Sequence, residues 1–287
     1  MFSRLRSSAS RFKNLPRRFE SSTTFQSPTG NKTHFGFQTV DEDLKSTKVH
    51  AVFDSVASSY DLMNDAMSFG IHRVWKDTFM LRMSPTPGTK LLDVAGGTGD
   101  IAFRFLNYLK TESLLSNDKL GKSSVTVSDI NQAMLDVGKR RAEKLGFTTG
   151  EDINWLHADA ENLPIDDDTY SAYTIAFGIR NVTHIDKVLD EAYRVLKPGG
   201  RFMCLEFSHV NNEALQWMYD QYSFQMIPVM GQVIAGEWKA YQYLVESIRK
   251  FPSQENFKEM IQAAGFSQVT YENMTFGVVA IHSAFKL

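Results

Sequence analysis

Residues 90–100 form the segment of this sequence that is best suited to bind a cofactor. They read as an apolar strand that ends in a carboxylate, Asp93, followed by a loop of small residues and a helix that begins near Ile101. The loop glycines Gly97 and Gly99 permit positive φ and leave no Cβ between the main chain and a ligand. At the carboxyl end of a parallel sheet, such a loop lets a ligand lie directly against the backbone.

The acid that precedes the loop indicates which ligand is bound. Residues 97–102 satisfy the loose dinucleotide fingerprint Gly-x-Gly-x-x-Gly/Ala, which alone is weak evidence. A pyrophosphate binds backbone N–H groups at a helix N-terminus, so it gains nothing from a carboxylate such as Asp93. The sulfonium and ammonium groups of S-adenosylmethionine are stabilised by nearby acids. The sequence therefore favours a methyltransferase over a nicotinamide-dependent dehydrogenase.

Two more acids are predicted at the same edge of the sheet. Asp129 follows the second predicted strand, where a carboxylate can hold both ribose hydroxyls, and Asp159 follows the third, where an adenine amino group can be met. The alternatives are that Asp129 only caps the helix predicted at 132–144, and that Asp159 is only structural. The predicted cofactor-binding residues are Asp93, Gly97, Thr98, Gly99, Asp129, Asp159 and Ala160.

Composition excludes several other classes of protein. A formal net charge of −2 provides no basic face, so we expect no nucleic-acid partner. The single cysteine, Cys204, rules out an intramolecular disulfide. No run approaches the roughly 18 apolar residues that span a bilayer. The histidines show no ligand spacing with cysteines or carboxylates, so no metal is predicted.

The first residues have the composition of a targeting segment. Arginine, lysine and serine are frequent, no acid occurs before Glu20, and apolar residues recur at partly helical spacing. This is typical of a mitochondrial transit peptide, and the alternative is a disordered basic arm that touches lipid or another protein. We predict a transit peptide at 1–21, a flexible tail at 22–43 and a methyltransferase domain at 44–287.

Helix and strand patterns alternate after the tail. Helices are predicted over 44–60 and 73–83, and further helices separate the later strands. This alternation predicts an α/β fold with a mostly parallel, doubly wound sheet and helices on both faces. The last two strands are joined by a short turn, so they can pair antiparallel at one edge. The seven strands are predicted near 90–94, 125–129, 153–157, 171–177, 201–207, 267–272 and 277–285.

Residues 208–250 interrupt the alternation. They hold more methionine and aromatic side chains than a single helix facing a sheet would bury. One interpretation is ordinary core. The other is a lid-like insertion that forms an apolar tunnel for a greasy substrate or rests on a membrane surface.

Two longer segments resemble a known family. Residues 60–75 read Tyr-Asp-Leu-Met-Asn-Asp-Ala-Met-Ser-Phe-Gly-Ile-His-Arg-Val-Trp, and residues 194–208 read Arg-Val-Leu-Lys-Pro-Gly-Gly-Arg-Phe-Met-Cys-Leu-Glu-Phe-Ser. With residues 177–182 and 274–282, they resemble the ubiquinone/menaquinone biosynthesis C-methyltransferase family of the UbiE type, roughly from residue 45 to the end. Ala176 stands where bacterial relatives carry serine, so no hydroxyl contact to the cofactor is expected there.

The resemblance implies a Rossmann-like, class I S-adenosylmethionine-dependent methyltransferase fold. It also implies methylation of a ring carbon in a polyprenylated methoxy-benzoquinol on the route to ubiquinone. Family members in mitochondria work peripherally on the matrix side of the inner membrane, within an assembly of other ubiquinone-synthesis proteins. Bacterial members also methylate demethylmenaquinol, but the predicted transit peptide favours the benzoquinol here.

Four residues of these motifs are candidates for catalysis: Arg180, Asn181, Tyr60 and His72. Carbon methylation needs a ring carbon aligned with the sulfonium methyl, and a general base. Arginine stays protonated, so we expect Arg180 to stabilise the developing phenolate while Asn181 fixes a water that takes the proton. The alternative is that Arg180 pairs with an acid such as Asp129 and only braces the site.

The other two candidates and the overall function also have alternatives. Tyr60 is expected to bond the quinol or close over the cofactor, and His72 is the family-signature residue that titrates near neutrality. Both could instead be packing residues, and Glu206 and Ser208 rank below Arg180 as groups that face the acceptor.

The alternative functions are an O- or N-methyltransferase of another small molecule and a catalytically silent scaffold of the ubiquinone-synthesis assembly.

Overall fold

The computed structural model describes residues 31–56, 60–115 and 122–287. The predicted transit peptide lies outside the described residues. The strands are β1 (Lys32–Phe35), β2 (Gln38–Asp41), β3 (Lys90–Val94), β4 (Ser124–Asp129), β5 (Ile153–His157), β6 (Tyr170–Ala176), β7 (Leu196–Phe207), β8 (Ser267–Met274) and β9 (Val279–Phe285). The helices are α1 (Glu42–Val56), α2 (Tyr60–Ser68), α3 (Ile71–Met83), α4 (Asp100–Leu115), α5 (Gln132–Leu145), α6 (Ile185–Val195), α7 (Glu213–Gln221), α8 (Ile227–Ala235), α9 (Trp238–Lys250) and α10 (Gln254–Ala263).

Seven of the strands form one sheet in the order β5-β4-β3-β6-β7-β9-β8. The five from β5 to β7 are mutually parallel, whereas β9 pairs antiparallel with both β7 and β8. The strand order reverses between β3 and β6, and ligands of open α/β sheets bind outside the carboxyl ends of strands at such a switch point. The predicted α/β fold, mostly parallel with an antiparallel pair at one edge, is confirmed.

Helices cover both faces of this sheet. Successive side chains of a strand point to opposite faces, so Leu91 and Leu92 enter two separate cores. Leu91 packs with residues of α3, α4 and α5, whereas Leu92 packs with residues of α6 and α10. Strands buried on both faces read as continuous apolar runs, and this accounts for the sequence of β3.

The prediction of a flexible tail is wrong for residues 32–41. They form a β-hairpin in which β1 pairs antiparallel with β2. The Phe35 ring stacks on Tyr243 with 4.2 Å between ring centroids, and the Phe37 N–H donates to Glu246 Oε2 at 2.9 Å. These stabilising partners lie about two hundred residues away along the chain, so local composition did not reveal them.

The N-terminal helices and the insertion also differ in detail from the predicted pattern. The helix predicted over 44–60 corresponds to α1, which is described as far as Val56, and α2 is described from Tyr60. Within residues 208–250, a π-helical turn at Tyr222–Met226 joins α7 to α8. The seven predicted strands agree with the structure to within a few residues at their ends, except that β7 begins at Leu196 and not near residue 201.

Candidate active site

The loop between β3 and α4 has the geometry that its glycines allow. Gly97 has a φ of 54° and Gly99 a φ of 83°. A Cβ on Gly99 would lie 3.0 Å from ring atoms of Phe103 and Trp155. Glycine is therefore required at residue 99 by both backbone conformation and packing.

Asp93 is buried at the end of β3, and one of its carboxylate oxygens has no hydrogen-bond partner among the described residues. Its Oδ1 accepts from the Thr174 hydroxyl at 2.8 Å, whereas its Oδ2 has no partner among the described residues. Burial raises the pKa of Asp93 to about 7. A ligand cation beside this carboxylate would restore its charge and satisfy the free oxygen, which fits the cationic methionine portion of S-adenosylmethionine.

Asp129 holds one backbone N–H group with each of its oxygens, and one of the two belongs to the loop. Oδ2 accepts from the Gly97 N–H and Oδ1 from the Asn131 N–H, each at 2.8 Å. The N-cap of α5 is Asn131, whose side chain accepts from the Met134 N–H at 3.0 Å, so the alternative that Asp129 is that cap is wrong. Each carboxylate oxygen keeps a second lone pair, so ribose hydroxyls can still donate to Asp129.

These residues surround a cavity of about 340 Å³, which we call the cofactor cavity. Six of the seven predicted cofactor residues line it, namely Asp93, Gly97, Thr98, Asp129, Asp159 and Ala160. Gly99 is not a lining residue, and its role is to shape the loop. Helix α1 forms the outer wall through side chains that include Glu42 and Phe53. Asp159 Oδ1 also accepts from the Glu161 N–H at 2.9 Å.

A second cavity of about 120 Å³ adjoins the first, and we call it the acceptor cavity. The two cavities share four lining residues: Phe53, Lys76, Phe177 and Asn181. The insertion supplies one wall of the acceptor cavity through Tyr219, Tyr222, Ile227, Tyr241 and Tyr243. A largely aromatic compartment therefore opens beside the cofactor cavity, which is the arrangement that transfer of a group to an apolar ring requires.

Phe177 forms part of the boundary between the two cavities. It follows β6 with a φ of 57°, and its N–H donates to the Leu205 carbonyl at 2.8 Å. Its ring packs against Phe207 and Trp75, with 4.9 Å and 6.2 Å between ring centroids. These contacts hold the ring in place at the boundary.

Arg180 and Asn181 lie on a short 3-10 turn after β6, and both line the acceptor cavity. Arg180 Nη1 is 2.8 Å from Glu206 Oε1 and also donates to the Phe177 carbonyl. Arg180 therefore pairs with an acid, as the alternative expected, but this acid is Glu206 and not Asp129. Arg180 Nε is buried without a partner among the described residues, and Asn181 Oδ1 accepts from the Tyr243 hydroxyl at 3.1 Å.

His72 presents an unpaired ring nitrogen in the region of the acceptor cavity. It is buried on α3 and lines that cavity, and its Nε2 is 2.8 Å from Asp65 Oδ1. Its Nδ1 has no partner among the described residues. Burial lowers the pKa of His72, although the bond to Asp65 opposes this. The ring is therefore neutral at pH 7, with Nε2 donating to Asp65 and Nδ1 free to accept a proton.

The remaining candidates occupy different positions. Tyr60 begins α2, but its side chain lies outside the described residues. Ser208 is buried and, like Glu206, lines neither cavity. Sequence reasoning missed Lys76, which is buried and lines both cavities. A signal for it was present, because Lys76 lies four residues after His72 and thus on the same face of α3.

Two features of the described residues bear on other kinds of site. Within residues 31–56, 60–115 and 122–287, no three His, Cys, Asp or Glu side chains are grouped so that they could hold a metal ion. In the same part of the chain, no helix has both the length and the apolar character needed to cross a membrane.

Comparison with known proteins identifies the family. The family model described as the ubiE/COQ5 methyltransferase family matches residues 41–286. The chain belongs to this methyltransferase family. It is 67% identical to a Drosophila melanogaster protein named "2-methoxy-6-polyprenyl-1,4-benzoquinol methylase, mitochondrial", over 89% of this chain and 85% of that protein. It is 60% identical to the Homo sapiens protein of the same name, with the same shares covered. Membership confirms the resemblance seen in residues 60–75 and 194–208.

Solved structures of methyltransferases share the fold of this family member. An S-adenosylmethionine-dependent methyltransferase of Thermotoga maritima superposes with a TM-score of 0.53 and 17% identity, covering 83% of this chain and 100% of that one. Phosphoethanolamine N-methyltransferase 2 of Haemonchus contortus, solved with S-adenosylmethionine, gives a TM-score of 0.52 and 16% identity over 74% of this chain and 52% of that one. These likenesses confirm the class I methyltransferase fold.

Proposed function

We propose that this protein transfers the methyl group of S-adenosylmethionine to a ring carbon of a polyprenylated methoxy-1,4-benzoquinol in ubiquinone biosynthesis. The observation that supports this most strongly is the junction of an acid-lined cofactor cavity with an aromatic acceptor cavity through four shared residues. The names of the relatives from Drosophila melanogaster and Homo sapiens, both above half identity, support the same acceptor. Transfer to carbon needs the quinol, because the oxidised quinone ring is electrophilic.

In this proposal the cofactor is held by the loop and the acids around it. Asp93 and the sheet edge stabilise the cationic methionine portion, and Asp129 accepts from the ribose hydroxyls. Asp159 and Ala160 line the same cavity, and in this proposal the adenine base lies beside them. S-adenosylmethionine supplies the electrophilic methyl group. The protein contributes alignment of that group with the ring carbon and exclusion of water from the reacting centre.

We assign the role of general base to His72. Asp65 fixes the tautomer in which Nδ1 carries the lone pair, and this atom is buried without another partner among the described residues. A neutral imidazole can take a phenolic proton directly or through a water bound by Asn181. The Arg180 Nε–H, which has no protein acceptor among the described residues, is available to stabilise the phenolate oxygen.

The location of the protein is part of the proposal. Relatives are named as mitochondrial, and the basic N-terminal segment agrees with import. We place the enzyme peripherally on the matrix side of the inner membrane, within an assembly of other ubiquinone-synthesis proteins. Apolar side chains exposed on the insertion support contact with lipid or a partner, because Trp217 is 64% exposed and Val233 is 79% exposed.

The direct test is to incubate the purified protein with labelled S-adenosylmethionine and a reduced short-tail methoxy-benzoquinol. Mass spectrometry should find the label on a ring carbon. Label on oxygen would indicate an O-methyltransferase, and failure to bind S-adenosylmethionine in calorimetry would leave only the scaffold function.

Replacement of His72 tests its proposed role as general base. His72→Gln should lower turnover at least about a hundredfold, because general-base catalysis contributes roughly 10²–10⁴, while leaving the Kd for S-adenosylmethionine unchanged. In the wild type, turnover should fall only as the pH drops below 6.5, since burial lowers the pKa of His72 from that value. His34→Gln, on the hairpin outside both cavities, is the matched control. Full turnover in His72→Gln would refute the assignment.

A further inference from the structure

Lys76 is a buried cation that the proposed chemistry leaves without a role. It lies on α3, is 6% exposed, and lines both the cofactor cavity and the acceptor cavity. Burial of an ammonium group is unfavourable unless the group is paired and hydrogen-bonded. Asp100 supplies one such partner, and the position of Lys76 at the junction of the two cavities also places this side chain on the wall of both ligand spaces.

The charges that line the cofactor cavity are strongly unbalanced. Among the described lining residues, Lys76 is the only lysine or arginine. Seven carboxylate side chains line the same cavity: Glu42, Asp43, Asp93, Asp100, Asp129, Asp159 and Glu161. Such a cavity suits the sulfonium and ammonium groups of S-adenosylmethionine, but it repels the carboxylate of the same molecule unless a cation faces that group.

The Lys76 ammonium group has donors to spare for such a partner. Its hydrogen bond within the described residues is to Asp100 Oδ2 at 2.6 Å. The other oxygen of Asp100 accepts from Arg104 Nη1 at 2.5 Å. An ammonium group has three N–H donors, so two remain on Lys76 while Asp100 fixes its direction. Asp100 stays ionised, because the charges of Lys76 and Arg104 outweigh its burial and lower its pKa to about 2.

We infer that Lys76 binds the methionine carboxylate of S-adenosylmethionine, with Asp100 as the residue that positions the ammonium group. This inference rests on the proposed function only for the identity of the cofactor. The methionine end of the cofactor then lies at the junction of the cavities. The sulfonium methyl is placed beside the acceptor cavity, and the adenine and ribose extend toward Asp159 and Asp129.

Decarboxylated S-adenosylmethionine provides the test, because it keeps the ammonium and sulfonium groups and lacks only the carboxylate. The Kd of each compound is measured by calorimetry for the wild type and for Lys76→Met, without any quinol. Lys76→Met should weaken S-adenosylmethionine binding about ten- to a hundredfold, the loss of one charge-assisted hydrogen bond. Binding of the decarboxylated compound should be unchanged or tighter, because no contact is lost and one positive charge is removed.

Two results would overturn the inference. Equal weakening of both compounds would mean that Lys76 only supports the fold of the site. Unchanged affinity for S-adenosylmethionine, with reduced turnover on the quinol, would assign Lys76 to the acceptor oxygen.

Two variants serve as controls. Lys139→Met controls for the loss of charge, because Lys139 is a partly exposed lysine on α5 outside both cavities. Lys76→Met/Asp100→Asn also removes the carboxylate charge that loses its lysine partner in the single variant while keeping Arg104, and it should show the same selective loss.

The test separates this inference from the proposed function. A protein that binds S-adenosylmethionine through Lys76 but does not methylate the quinol would retain the inference and refute the acceptor assignment. If the protein methylates the quinol, but Lys76→Met changes the Kd of neither S-adenosylmethionine nor its decarboxylated form, the acceptor assignment would stand and the inference would be refuted.

Discussion

Asp129 is the residue whose replacement examines the cofactor site most directly. Its oxygens hold the Gly97 and Asn131 N–H groups at 2.8 Å, and their remaining lone pairs are available to the ribose. In the proposed complex with the cofactor, Asp129→Ala removes the contact to the ribose. A hydrogen bond to a charged group contributes about 1.5–3 kcal/mol, so the Kd for S-adenosylmethionine should rise about ten- to a hundredfold.

The same substitution also affects stability, and the two effects must be measured separately. The N–H groups of Gly97 and Asn131 lose their acceptors, at a cost of about 1 kcal/mol each for partly buried groups. Burial raises the pKa of Asp129, so the carboxylate is itself unfavourably placed, and its removal offsets part of that cost. We expect the free energy of unfolding to fall by about 1–2 kcal/mol.

The assay is calorimetric titration with S-adenosylmethionine well below the unfolding temperature, together with urea unfolding of the same samples. Asp136→Ala is the matched control, because this exposed acid on α5 bonds only Gln132 and Lys139 among the described residues. A variant that loses stability but keeps the wild-type Kd would refute the reasoning. Asp129 would then organise the loop without touching the ribose.

Two further predictions concern other parts of the molecule. Arg180→Lys keeps the charge and can keep the bonds that Nη1 makes to Glu206 and Phe177, but it loses the Nε–H assigned to the phenolate. Turnover should therefore fall roughly tenfold while the Kd for S-adenosylmethionine stays constant, and wild-type values for both would contradict the acceptor-side role. His282 is buried, and burial lowers its pKa to about 4. The unfolded chain binds a proton on this histidine more readily than the folded chain does. The free energy of unfolding should therefore fall by about 3 kcal/mol as the pH drops from 6.5 toward 4, and above pH 6.5 this residue should cause no loss. Urea unfolding across this range should show a shallower pH dependence for His282→Gln, and an equal dependence would exclude His282 as the cause.

The cofactor half of the site could be predicted because its signals are local. Asp93, Asp129 and Asp159 each follow an apolar strand, and carboxyl ends of parallel strands meet at one edge. The glycines between Asp93 and the next helix require a loop whatever the rest of the chain does. The alternation of apolar strands and acids was therefore enough to predict that these residues lie close together, and the structure places them around one cavity.

The acceptor half depends on contacts between distant segments, which periodicity does not encode. The partner of Arg180 is Glu206, from the neighbouring strand, although Asp129 was an equally reasonable choice in sequence. Lys76 becomes significant only when α3 packs against α4 and places it beside Asp100. The hairpin at 32–41 is ordered through Tyr243 and Glu246 of α9, so its isolated sequence resembles a tail.

The left-handed backbone of Phe177 carries a local cost that its ring contacts offset. A residue other than glycine in this conformation costs about 1–2 kcal/mol, so glycine at this position would relax the backbone. That exchange would also remove a ring that packs against Trp75 and Phe207, and truncation of a core phenylalanine typically costs about 3–5 kcal/mol. It would further delete the aromatic partition at which the proposed methyl donor and acceptor ring meet. A search for stabilising substitutions should therefore leave Phe177 in place despite its strained backbone.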